Sequence, residues 1–277
     1  MKTILNVVLL AFVSVVISSC SKFSNGVVRQ KEVFLDRDFQ IVEMCDNVNV
    51  DLKHCDKKNP AGTIIIRANE NLLENISTEV VGTALDTTPY NKLTIKNNSS
   101  FDYLRPDNYT LEMTVYYDSL LMLIFNSNGT INTDFLRGYK TPVSSEGEIK
   151  YLSNLRIEVN GGSGDFTVLT NCELARAYYL FGTSNLILKG TAAASIIFGD
   201  YNCNGIIDAR ALESNWTTIH YLGTNTVWTN TVDYLKIINN SIGRVFYHEF
   251  TTTDAQGNTS NCPKRPDFSG DNIFRYN

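Results

Sequence analysis

From residue 128 to residue 247 the chain repeats itself about every twenty residues, and this period limits the fold more than any other feature. At each repeat a small or polar turn residue is followed two positions later by an apolar one. The turn residues are Gly129, Gly164, Asn185, Gly205, Thr226 and Gly243. The apolar partners form a column of Ile131, Phe166, Ile187, Ile207, Trp228 and Val245. The last four spacings between turn residues are 21, 20, 21 and 17, whereas the first is 35, which implies an insertion near residues 139–150. A fixed period in this range is the mark of a solenoid, in which each coil covers the apolar face of the next. At about 3.3 Å per strand residue, twenty residues trace a circuit of roughly 66 Å, enough for two or three short strands and their corners. Gly and Asn at the corners supply the backbone freedom that sharp turns need. The column is therefore expected to point inward, one side chain per coil.

The first twenty residues read as a processing signal. Lys2 gives the positive start, and residues 4–17 form an apolar run shorter than the roughly 20 residues that span a bilayer. The run ends in Ile17-Ser18-Ser19-Cys20, which looks like a bacterial lipobox and makes Cys20 the expected lipidation site and membrane anchor. Ser21 stands where an inner-membrane retention signal has Asp, which points to the outer membrane. No acidic run follows Cys20, so periplasmic and surface exposure both stay open. Residues 21–34 read as a polar tether, 35–250 as the folded domain, and 251–277 as either a cap over the last coil or a disordered tail.

Strand signals begin at Phe39. Residues 39–42 and 48–52 alternate with period two around the turn pair Asp46-Asn47, residues 63–66 form a β-branched run, and further strands are expected at 92–96 and 109–116. Residues 70–76 are the one candidate for a helical turn, and 97–108 read as a loop. A hydrophobic content of 43%, with 11% aromatic, is ample for a core and excludes a disordered chain. The net charge of −5 and scattered basic residues argue against nucleic acid as a partner. Beyond Cys20 lie Cys45, Cys55, Cys172, Cys203 and Cys262, an odd number without CxxC spacing. Free thiols are favoured, and Cys45 with Cys55 is the best disulfide candidate because both lie on what reads as one hairpin.

The order of these motifs resembles a known family. Phe39-Gln40-Ile41 with Asn47-Val48-Asn49-Val50 resembles its opening strand pair, and residues 65–80 its Asn-Leu-Leu stretch. Lys92 to Ile95 and Tyr116 to Leu120 resemble its next two segments. Gly129-Thr130-Ile131-Asn132 is similar to the Gly-Ile-Asn motif that names the family, and Gly161 to Phe166 to its later Gly-Ser-Gly turns. On these residues the chain resembles the auto-transporter adhesin head domain, or GIN domain, common in lipoproteins of Bacteroidetes. The resemblance implies an all-β, right-handed β-helix-like fold with a less regular N-terminal part and an adhesin-like role. It brings no catalytic residues and no cofactor.

A β-helix can also carry a polysaccharide lyase or hydrolase, which needs convergent carboxylates. Asp165 and Asp208 sit at different offsets from their turns and should not share a column. His54, His220 and His248 show no metal-ligand spacing, so no metal site is expected. Binding is therefore expected from the many aromatics, with Tyr179 and Tyr221 as outward members of a flat platform for glycan or protein.

Overall fold

The computed structural model describes residues 26–85, 88–98, 111–145, 148–253 and 256–276. Cys20 and the expected signal segment lie outside them, as does most of the expected 97–108 loop. Most of the described residues are strand. Nineteen strands join in one curled sheet, Phe250–Thr253 pairs separately with Thr259–Cys262, and the one helix among them is the four-residue turn Glu70–Leu73. Five long strands form the centre: Glu148–Gly161, Asp165–Gly182, Asn185–Cys203, Ile207–Tyr221 and Thr226–Asn239. Each lies parallel to the next, one circuit later in the chain. Parallel pairing needs a long return path. Here the residues paired in parallel, such as Phe166 with Leu186 and Leu186 with Ile207, follow one another at the spacing of the repeat.

Two inward columns make the core. The first runs in register through Val50, Ile131, Phe166, Leu186, Ile207, Val227 and Val245, all essentially without solvent contact. The second runs through Leu93, Val42, Leu123, Ile157, Ala177, Ile197, Ile219 and Ile237. Each large side chain so enclosed contributes roughly 1.5–3 kcal/mol. The N-terminal part thus stacks in the same layers as the repeat.

Four of the six expected column residues are where the repeat places them. Ile187 and Trp228 are not: both are only half-buried, and Leu186 and Val227 take their positions. The corners fall one residue earlier than read, at Ser184 and Asn225. Gly205 stacks on Ser184, where a Cβ would stand 1.7 Å from the Ser184 carbonyl oxygen, and Arg244 N–H donates to Asn225 O at 2.8 Å. A shift of one residue exchanges the two faces of a strand.

Other segments also depart from the reading or bear it out. The insertion is a hairpin, Tyr139–Ser145 antiparallel to Glu148–Gly161. Asp46, with φ of 63°, turns the chain as expected. The strands it joins, Ile41–Asp46 and Asn49–His54, do not form a hairpin; each runs parallel to strands of other layers. The five cysteines beyond Cys20 are free. The tether reading fails from Val28 onward, because Val28–Phe34 pairs antiparallel with Thr63–Asn69. At the other end, Arg265–Gly270 and Ile273–Tyr276 add parallel to Thr226–Asn239 and Arg244–His248.

Candidate functional site

Tyr179 and Tyr221 face inward, which removes them as a binding platform. Both are fully buried, on either side of Gly199 in the ladder. The Tyr179 hydroxyl donates to the Ser184 carbonyl at 2.6 Å, and the Tyr221 oxygen accepts the Asn225 N–H at 3.1 Å. Burial pushes both phenols above their ordinary range, and it pushes the neighbouring Cys203 thiol up to about 12. These tyrosines close the corner of the core and satisfy its backbone groups. Side chains alternate along a strand, so their neighbours Tyr178 and His220 are the ones that face out.

The outward side chains of the five long strands and Arg265–Gly270 form a grid. One row runs Glu158, Tyr178, Phe198, His220 and Ile238, rung by rung. Tyr178 and Phe198 have centroids 6.2 Å apart, Phe198 and His220 5.6 Å, and Arg156 lies 4.6 Å over the Tyr178 ring. Arg156 is also paired with Glu158. Such rows stiffen a sheet as cross-strand pairs.

Four residues along the strands, a second row places Trp216 opposite Tyr234 and Tyr234 opposite Arg265. Trp216 keeps 55% of its surface in solvent. Its indole N–H donates to Asp233 at 3.2 Å, and Arg265 donates to the same carboxylate at 2.6 Å. That Arg265 hydrogen bond is the main cause that holds the Asp233 carboxyl below its usual range. The Arg265 guanidinium also sits 5.8 Å from the Trp216 centroid and 5.6 Å from that of Tyr234. The Tyr234 hydroxyl donates to Asp267 at 3.3 Å. The result is an exposed aromatic surface edged by fixed donors and acceptors. Asn215, next to Trp216 in the chain, lines a groove of about 600 Å³ with Arg137, Lys140, Glu173 and Glu213.

The other outward ladder runs Thr167, Ile187, Asp208, Trp228, Phe246 and Phe274. Trp228 stacks on Phe246 at 4.2 Å, and Phe246 on Phe274 at 5.2 Å. Arg210 lies 4.9 Å over Trp228 while gripping Asp208 through two hydrogen bonds of 2.9 and 2.5 Å. Trp228 and Phe246 are half-buried in this stack, and Phe274 at its end is exposed. Asp165, which accepts from Asn185 at 2.8 Å, lies on a different ladder from Asp208, as their spacing predicts.

The model of the family described as "Putative auto-transporter adhesin, head GIN domain" matches residues 38–249. The chain belongs to this family. Solved structures of similar fold include a putative adhesin from Bacteroides fragilis NCTC 9343, at 16% identity and TM-score 0.60, with 90% of this chain and 95% of that one covered. A putative lipid binding protein from Parabacteroides distasonis ATCC 8503 aligns at 15% identity and TM-score 0.52, over 91% of this chain and 98% of that one. No curated protein matches the chain. For a GIN domain the sequence marks four of the six corners and places the other two, at Asn185 and Thr226, one residue late. It does not mark the exposed row, because Arg265 lies 32 residues beyond Asp233 in a segment that lacks the repeat.

Proposed function

We propose that this chain is a non-enzymatic, adhesin-like module of the bacterial envelope, held to the outer membrane through a lipid on Cys20. In this reading its coils wind as a right-handed β-helix, and the Trp216–Tyr234 surface binds glycan. The parallel, one-circuit register of the long strands supports the winding. The observation that carries the binding role is Trp216, more than half exposed on a rigid sheet, with Asp233 and Arg265 fixed at its edge. The C–H face of a sugar ring is apolar and flat enough to lie on indole, while its equatorial hydroxyls meet carboxylate acceptors and guanidinium donors. A parallel sheet fixes these groups before the ligand arrives, so little ordering entropy is lost on binding.

The test is a glycan array probed with the full chain and with Trp216→Ala combined with Tyr234→Ala. Both side chains lie outside the core, so the melting temperature should stay within a few degrees while binding is lost. A wild type that binds no glycan, or a double variant that binds as well as the wild type, defeats the reading. Shortening of the bound glycan during incubation would favour a carbohydrate-active enzyme instead.

A further inference from the structure

We propose that His54, Cys55 and Asp118 form a binding site for a divalent transition-metal cation of the zinc class. One ligand atom from each, the His54 ring nitrogen, the Cys55 Sγ and an Asp118 carboxylate oxygen, gathers within 4.8 Å of the others. The backbone makes this convergence. His54 is the last residue of its strand paired with Tyr117, and the Cys55 N–H donates to the Tyr117 carbonyl at 2.8 Å. That bond sets Cys55 beside Asp118, although 63 positions separate them in the chain.

The histidine carries the argument. Its Nδ1 lies 2.9 Å from the Cys55 carbonyl oxygen. A carbonyl can only accept, so Nδ1 bears the hydrogen and the neutral ring keeps its lone pair on Nε2. Nε2 is itself shut off from solvent and has no hydrogen-bond partner, although the ring as a whole is 30% exposed. An orphaned buried acceptor is costly, and a cation is one of its ordinary explanations. A carbonyl on the opposite ring nitrogen is also the arrangement that orients metal-bound histidines. Nε2 and the Asp118 oxygen stand 4.0 Å apart. Tetrahedral zinc would bring such a pair to about 3.4 Å, given bonds of roughly 2.0–2.2 Å. Asp118, 78% exposed, is free to close that difference by rotation. Asp56, the nearest other acid in sequence, is committed to the amides of Lys58 and Asn59, each at 2.7 Å. Thiolate and imidazole together select zinc or cobalt over calcium or magnesium. With three protein ligands, the fourth position falls to water, and the ion would clamp the end of one coil to its neighbour.

The experiment is a titration of the chelator-treated full chain, with Cys20→Ser in every sample, using Zn2+ against a chromophoric competitor and Co2+ by absorption. One equivalent should bind, and Co2+ should give a thiolate charge-transfer band. Cys55→Ser should remove the band, His54→Gln should weaken Zn2+ at least tenfold, and Asp118→Asn should weaken it while leaving the melt of the apo chain unchanged. Cys45→Ser should change nothing. Absence of stoichiometric binding, binding indifferent to His54→Gln, or a cobalt band that follows Cys45 would overturn the assignment.

Discussion

Gly199→Ala should destabilise this protein by an amount set by one contact. A Cβ at Gly199 would stand 2.4 Å from Cδ2 and 2.5 Å from Cε2 of Tyr221, well inside the 3.5–4.0 Å at which carbon atoms touch. The ring cannot retreat. On its other edge, a Cβ at Gly243 would stand 2.5 Å from Cε1, and one at Gly223 would stand 2.8 Å from the hydroxyl. Tyr221 is thus seated among three glycines and held by the Asn225 N–H. Overpacking typically costs about 1–3 kcal/mol, and a ring clamped on both edges belongs at the upper end. At about 2–4 °C per kcal/mol in a domain of this size, ~3 kcal/mol lowers Tm by roughly 6–12 °C. Tyr221→Ala alone should cost about 3–5 kcal/mol through the cavity it leaves. In the double variant the clash disappears, so Gly199→Ala should add almost nothing to Tyr221→Ala. Urea melts of the four species measure this coupling. Gly82→Ala, where nothing lies within 4 Å of the added methyl, serves as the neutral control. Additive costs, or a silent Gly199→Ala, would refute the reasoning.

Two further outcomes follow, one from the structure and one from the proposed anchor. Leu186→Ala should cost about 2–5 kcal/mol in a denaturant melt and Ile187→Ala well under half of that, because Leu186 is fully buried and its neighbour is not. Equal costs would mean that the face assignment is wrong. Growth on a clickable fatty acid should label the wild-type protein, and Cys20→Ser should abolish the label and release the chain from the membrane fraction. An unlabelled wild type would remove the anchor.

Much of the architecture was legible because it rests on local rules. The twenty-residue period, the insertion that proves to be the Tyr139–Gly161 hairpin and the turn at Glu70 are all written in spacing and residue type. The family could be reached from motif order alone. What misled was pairs of adjacent apolar residues. Leu186-Ile187 and Val227-Trp228 offer either member to the core, as do Tyr178-Tyr179 on the opposite face. Period-two alternation does not choose between them, which is why the expected platform at Tyr179 and Tyr221 lies inside the protein.

The sequence by itself determined that this chain is all-β, with a twenty-residue period of turns and an apolar interior. The tertiary structure decided which face each side chain takes, and therefore where chemistry is available. The physical reason is that parity is fixed by register against the neighbouring strand. Gly205 fits only where no side chain meets the Ser184 carbonyl, and that contact sets Ile207 inward and Asp208 outward. The same stacking brings Arg265 to Trp216 and Asp118 to His54, across distances in the chain that no local pattern spans.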